Sequence, residues 1–318
     1  MESLLPLWRR VLVMRELELE LGRATASGEV HGEMHLGVGQ ETVAAALETC
    51  LVDGDAVIST HRPHLHALAA GVDPVRMLAE ILERDGLNHG KGGHMHLFDP
   101  SRQFMCTGIV GAGAPIALGY ALAQRLGRTS TSGIAVSILG DAAMNQGAVL
   151  ESLNLAAVLR LPVLFLVENN QYGISVPQSV STAGQLHERG HSMGIPGVRV
   201  DGRDIGPLLE TLRDAIDGVR REKFPSLVIV DVYRFRGHYE GDLDLYRPEA
   251  EKRDAMSDAQ DPLSRLEALL LAGGNLTEAS ALADRASAVD EVASWFREAR
   301  KIPYPAASTA VEGEFVRG

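Results

Sequence analysis

The chain has 318 residues, 45% of them apolar, and a formal net charge of −12. It can bury one large core, or a core with a small helical appendage, and an acidic balance without a basic block argues against nucleic acid or a membrane as partner. Only Cys50 and Cys106 are present, which excludes a disulfide scaffold; no apolar run can span a bilayer and residues 1–10 carry no leader pattern, so a reducing, cytoplasmic location is expected.

Leu4, Leu5, Trp8, Val11, Leu12 and Met14 recur at helical spacing, so residues 3–26 read as a helix. A glycine- and histidine-containing loop follows over 28–39, then an alanine-rich helix over 40–51. Residues 55–60 read as a short strand ending at His61-Arg62, and 63–86 as helices. The stretch 87–110 reads as one long glycine-rich loop, and loops that long in a compact domain tend to be functional. A helix over 113–126 precedes the apolar run 134–139, which delivers Asp141 at its carboxyl end. Val149, Leu150, Leu153, Ala156, Ala157 and Leu161 mark the next helix, and the apolar run 162–167 then delivers Asn169 and Asn170. Strands over 198–200 and 227–235 flank a helix over 204–222. Residues 261–301 read as helical with an acidic face, with a frayed tail after about residue 305.

Strands alternating with helices predict an α/β fold. Its sheet is doubly wound and mostly parallel, with helical N- and C-terminal extensions. We divide it into an α/β domain over 1–260 and a C-terminal helical extension over 261–318 packed on the same domain.

A right-handed βαβ crossover over 134–170 sets two parallel strands side by side with their carboxyl ends at one rim. One carboxylate, one amide oxygen and a nearby backbone carbonyl then converge. These are hard oxygen ligands, suited to a Mg²⁺ ion that keeps other positions for water and phosphate oxygens. His61-Arg62, Asp141, Asn169-Asn170 and the segment from Arg234 to His238 all fall at strand ends, where open α/β sheets bind ligands.

Each group has a plainer alternative. Asp141 could merely cap the following helix, Arg62 could be solvated, and His238 could be an idle loop histidine. His64 and His66 suggest a zinc pair, but neither has a Cys or carboxylate at structural-zinc spacing. Gly111-Ala112-Gly113 lacks the third glycine and the preceding strand of a dinucleotide fingerprint.

Six ordered blocks carry a resemblance. They are GEMHLGVGQE (32–41), Thr60-His61-Arg62, GKGGHMH (90–96), Gly108-Ile109-Val110-Gly111, the stretch from Gly140-Asp141-Ala142-Ala143 to Glu168-Asn169-Asn170-Gln171-Tyr172, and Arg234-Phe235-Arg236-Gly237-His238. Together they resemble the α subunit of thiamine diphosphate-dependent E1 components of 2-oxo acid dehydrogenase complexes, in the pyruvate/acetoin branch, from about residue 5 to about 305. The resemblance implies thiamine diphosphate and Mg²⁺ as cofactors. It implies Asp141, Asn170 and the Tyr172 carbonyl as metal ligands, with Asn169 in support. It further implies cofactor contacts from His61, Arg62, Gly108, Ile109, Val110, Gly140, Ala142, Ala143, Arg234 and His238, and catalytic roles for His238 and His64.

Three positions depart from the family pattern. Alanine stands at 142 in place of the family's third signature glycine, which puts cofactor affinity in doubt. His94 stands where the family usually has serine, and Tyr239 replaces a regulatory serine. The stretch His238-Tyr239-Glu240-Gly241-Asp242 resembles the acetoin dehydrogenase branch. The implied activity is oxidative decarboxylation or cleavage of pyruvate or acetoin, with acyl transfer to the lipoamide of an E2 acyltransferase.

A single α/β sheet lacks the family's pyrimidine-binding domain, which implies a β subunit and an α₂β₂ assembly. The order of substrates is acetoin, then pyruvate, then branched-chain 2-oxo acids. Ala142 alone supports a non-catalytic α-like scaffold. A nicotinamide-dependent dehydrogenase would need a glycine-rich turn after the first strand, and none is found. The segment 234–247, rich in glycine and charge, is expected to be mobile without cofactor.

Overall fold

The computed structural model describes residues 4–128 and 133–311. In chain order the elements are α1 (Leu5–Ala26), α2 (Glu41–Glu48), β1 (Ala56–Ser59), α3 (His64–Ala69), α4 (Pro74–Ile81), β2 (Phe98–Asp99), β3 (Phe104–Cys106), α5 (Gly113–Arg125), β4 (Ala135–Gly140), α6 (Gly147–Val158), β5 (Val163–Asn169), β6 (Tyr172–Gly173), β7 (Val176–Pro177), α7 (Gln178–Ser181), β8 (Gly197–Asp201), α8 (Ile205–Glu222), β9 (Ser226–Asp231), α9 (Glu249–Ala255), α10 (Pro262–Ala272) and α11 (Glu278–Lys301).

Among the described residues, seven strands form one sheet in the order β2-β3-β1-β4-β5-β9-β8. The pairings β3–β1, β1–β4, β4–β5, β5–β9 and β9–β8 are parallel, and β2 alone is antiparallel to its neighbour. Alternate residues of each strand feed opposite faces. Ala135, Val163, Phe165, Val167, Leu227 and Ile229 pack with α5 and α6. Val136, Ile138, Leu164, Leu166, Val228 and Val230 share a second core with residues of α1, α2, α4, α8, α10 and α11. Burial on both faces is the reason these strands are continuously apolar. Leu263, Leu266 and Leu270 of α10 and Val292 and Phe296 of α11 lie in the same core as Trp8 and Leu12 of α1.

Local chemistry sets the helix starts. Asp73 accepts from the Arg76 N–H before Pro74, Asp261 accepts from the Leu263 N–H before Pro262, and Thr277 forms a reciprocal capping box with Ser280.

The stretch 87–110 is not loop throughout. Asp99 caps a 3₁₀ turn, Gln103 takes φ +50°, and the reversed chain lays β3 alongside β1, so part of this segment belongs to the sheet. The strand expected over 227–235 ends at Asp231, and the strand β6 begins at Tyr172, with one residue between it and Asn170. α6 stops at Val158, and Arg160 at φ +47° turns the chain before Leu161. Residues 307–311 form a 3₁₀ turn; the rest of the tail expected to be frayed, 312–318, lies outside the described residues.

Candidate active site

The carboxyl ends of five parallel strands open into one cavity of about 260 Å³. β1 supplies Thr60, His61 and Arg62. β3 supplies Gly108, Ile109 and Val110. β4 supplies Gly140, Asp141, Ala142 and Ala143, β5 supplies Asn170 and then Tyr172, and the chain beyond β9 supplies Arg234 and His238. Of the residues to which the resemblance gives a site role, His64 and the supporting Asn169 are missing from this lining.

Asp141 follows β4 directly and is 1% exposed. It precedes a 3₁₀ turn over Ala142–Asn145 but makes no side-chain capping bond, so the helix-cap reading fails. Its Oδ2 is buried without a hydrogen-bond partner. Burial raises its pKa to about 6 against the pull of nearby backbone N–H groups, including that of Asn170, and of Arg234. A buried carboxylate with an unsatisfied oxygen is costly unless something cationic meets it. Across the β4–β5 pair, Asn170 Oδ1 accepts from the Tyr172 N–H at 3.2 Å, an Asx-type turn. Asn169 faces away and donates through Nδ2 to Asp231 Oδ1 at 2.7 Å, while Arg199 donates to the other Asp231 oxygen at 2.7 Å. Asn169 therefore braces the turn and leaves Asn170 to the cavity.

Two guanidinium groups supply the positive potential that the acidic chain lacks overall. Arg62 is 5% exposed and donates to the Leu36 carbonyl at 2.7 Å and the His238 carbonyl at 2.7 Å. Arg234 is 1% exposed and donates to the Ile174 carbonyl at 3.1 Å and the Tyr246 hydroxyl at 2.6 Å. Among the described residues neither forms a carboxylate salt bridge. Burial and then Arg234 lower the Arg62 pKa to about 9, so it remains cationic at neutral pH. Two buried cations without a salt-bridge partner at a cavity wall favour an anionic ligand.

Arg234 lies on the segment 234–247, which polar contacts tie down. Arg247 is buried, pairs with Asp244, and donates to the Arg234 carbonyl at 2.5 Å and the Arg236 carbonyl at 2.7 Å. Asp242 accepts from the His238 N–H and from Tyr246, each at 2.6 Å. The anchors are polar and bind backbone carbonyls and one backbone N–H, so the glycine and charge content of the segment does not reveal them.

Histidines crowd the same edge. His35 was not singled out from the sequence, although it sits in the 32–41 block between glycines. Its ring centroid lies 4.7 Å from that of His61 and 4.8 Å from that of His238. Its Nδ1 is 3.4 Å from His94 Nε2. Burial first, then the charge of Arg62, push His35 down to about 2 and His238 to about 4, and lower His61 well below 6.5. These rings are neutral at physiological pH. The Nδ1 of His238 lies 3.2 Å from Arg62 Nη2, so it accepts and Nε2 carries the ring proton. Ligand atoms of His35, His61 and His238 lie within 4.8 Å of one another, but the Arg62 charge disfavours a cation among them. His64 is fully buried one layer back, with Nδ1 3.1 Å from Glu18 Oε1.

Ala142 is accommodated. It lies in the 3₁₀ turn and is not among the residues with positive φ, so the methyl group carries no backbone strain. Gly140 has open space around its Cα for a close approach. The unsatisfied Asp141 oxygen, the unpaired Arg62 and Arg234, and the unpartnered buried His61 Nε2 together fit a divalent cation bound with a phosphorylated cofactor.

The model of the dehydrogenase E1 component family matches residues 9–308. The α subunit of acetoin:2,6-dichlorophenolindophenol oxidoreductase from Cupriavidus necator is 39% identical over 313 residues, covering 96% of this chain and 91% of that protein. The pyruvate dehydrogenase E1 component subunit α of Zymomonas mobilis is 39% identical over 277 residues, 86% of this chain and 77% of that protein. The acetoin oxidoreductase α subunit of Bacillus subtilis is 36% identical over 318 residues, covering 99% and 94%. With a mostly parallel α/β sheet and a cavity at its carboxyl edge, the chain belongs to the dehydrogenase E1 component family.

Proposed function

We propose that the chain is the α subunit of a thiamine diphosphate- and Mg²⁺-dependent E1 oxidoreductase acting on acetoin or pyruvate. The observation that carries this reading is Asp141, with one buried carboxylate oxygen unpartnered, in a cavity shared with the unpaired Arg62 and Arg234. Asp141, Asn170 and the Tyr172 carbonyl hold the metal. Arg62, Arg234 and His61 hold the diphosphate, against which Gly140, Ala142 and Ala143 lie. Gly108, Ile109 and Val110 form the support for the cofactor's ring. When bound, the cofactor supplies a nucleophilic carbon and an electron sink for breaking the bond beside a carbonyl.

His238 is the catalytic group among the chain's own residues. With Nδ1 occupied by Arg62, its Nε2–H can donate to a developing oxyanion and recover a proton in turn. His64 is a positioning residue behind this wall, held by Glu18. Leu139, Ile109, Val110 and Ile174 line an apolar side of the cavity.

A single sheet provides one half of such a site, so the working enzyme pairs with a β subunit in an α₂β₂ assembly and passes an acyl group to the lipoamide of an E2 acyltransferase in the cytoplasm. Acetoin stands ahead of pyruvate, because the stretch His238-Tyr239-Glu240-Gly241-Asp242 resembles the acetoin dehydrogenase branch. Branched-chain 2-oxo acids come third. A scaffold role loses its one support, since Ala142 does not distort the turn.

The test is dye reduction by the chain co-expressed with its β subunit, given Mg²⁺, thiamine diphosphate and either acetoin or pyruvate. Turnover of one of them assigns the branch. An intact complex silent on both contradicts the proposal.

A further inference from the structure

At the cavity floor, which Ser59 itself lines with His66 and Glu168 behind it, three buried side chains form a hydrogen-bonded chain that the site as described does not use. Ser59 Oγ, on the last residue of β1, is 2.8 Å from His66 Nδ1, and His66 Nε2 is 3.1 Å from Glu168 Oε1 on β5. Their exposures are 1%, 2% and 4%. In the sheet, β4 runs between β1 and β5, and its last residue, Gly140, pairs in register with Glu168. The imidazole of His66, on α3, thus joins the ends of the two strands that flank the Gly140-Asp141 turn. Those three strand ends carry His61 and Arg62, Asp141, and Asn170.

Hydrogen-bond accounting fixes the chemistry. Among the described residues, His66 is the one hydrogen-bond partner of the Glu168 carboxylate and of the Ser59 hydroxyl. With Glu168 ionised, Nε2–H donates to it, Nδ1 is the acceptor, and the Ser59 O–H donates to Nδ1. One neutral tautomer satisfies all three groups. A hydrocarbon side chain in its place would leave a carboxylate and a hydroxyl buried without partners.

We propose that His66 is a positioning residue for the cofactor site, its bridge between Ser59 and Glu168 setting the separation of the β1, β4 and β5 ends that hold the diphosphate and the metal. The inference rests on the proposed thiamine diphosphate site. It adds a residue to that reaction that contacts neither cofactor nor substrate.

The experiment uses the full chain in complex with its β subunit and compares wild type with His66→Leu, His66→Gln and Ser59→Ala. Loss of an outer-layer support typically weakens a metal or cofactor site about 10–100-fold. His66→Leu should raise the Kd of thiamine diphosphate, with Mg²⁺ present, by that factor. The cofactor KM should rise in step, while kcat at saturating cofactor stays within about threefold of wild type if the bridge acts on geometry alone. His66→Gln, whose amide can accept from Ser59 and donate to Glu168, should bring Kd most of the way back. Ser59→Ala cuts the bridge on one side only and should give a smaller rise, which decides the matter if His66→Leu does not fold. Unchanged cofactor Kd in Ser59→Ala, together with unchanged Kd or unfolding in His66→Leu, would overturn the inference. So would a fall in kcat with KM unmoved. A wild-type complex that binds no thiamine diphosphate would instead overturn the functional reading itself.

Discussion

The methyl group of Ala142 and the bare Cα of Gly173 are packed against each other: a Cβ built on Gly173 would lie 2.7 Å from the Ala142 Cβ and meet nothing else within 4 Å. The alanine at the diphosphate turn and the glycine at the start of β6 therefore share one small volume on the cavity wall.

That contact predicts a compensating pair. Gly173→Ala alone should destabilise by about 1–3 kcal/mol, as overpacking commonly does, and should weaken cofactor binding. Ala142→Gly should be close to neutral in binding. Combining the two should restore most of the loss, because the single obstructing atom is gone. Thermal melts and cofactor titrations on the four variants measure the coupling, and purely additive effects would contradict the packing.

Acid should loosen the site before it loosens the rest. His35, His94 and His238 sit at about 2, 4 and 4, and His61 well below 6.5, chiefly through burial. Their folded pKa values lie below the unfolded value of 6.5, so between pH 6.5 and about 4 the unfolded chain binds more protons. The stability these neutral rings confer is present above pH 6.5 and is lost as pH falls. Each contributes a slope of up to about 1.4 kcal/mol per pH unit. His35→Gln should flatten urea-denaturation stability against pH in this window; an unchanged slope would show that His35 titrates normally in the folded state.

The segment 234–247 should resist proteolysis with or without cofactor. Arg247 clamps it to the Arg234 and Arg236 carbonyls and to Asp244. Arg247→Met leaves Asp244 with only Lys252, 3.9 Å away, as salt-bridge partner. Breaking such a buried pair typically costs about 3–5 kcal/mol, so the variant should melt earlier and be cut within this segment. Wild-type cleavage there, suppressed by thiamine diphosphate, would return the segment to the mobile class.

Much of the site could be read from the sequence because it is periodic in strands. Each apolar run ends in a polar residue, and parallel pairing brings those ends to one edge, so Arg62, Asp141, Asn170 and Arg234 follow from pattern alone. Contacts that depend on loop paths were not legible. His35 lies on a segment with no strand or helix to place it, and only its approach to His61 and His238 marks it. β3 hides in a glycine-rich stretch because it is three residues long, with a partner distant in sequence. His64 has the spacing of a site residue, but α3 turns it toward Glu18. The polar clamp of Arg247 resembles any charged loop until its carbonyl partners are seen.

The most direct test of the proposed site is a calorimetric titration of thiamine diphosphate into the full chain paired with its β subunit, with Mg²⁺ or with EDTA, for wild type and Asp141→Ala. Saturable binding that requires Mg²⁺ is expected, and Asp141→Ala should weaken it by more than the 10–100-fold (about 1.4–2.7 kcal/mol) typical of outer-layer partners. Equal affinity in EDTA, or in Asp141→Ala, would contradict the assignment of Asp141 as a metal ligand.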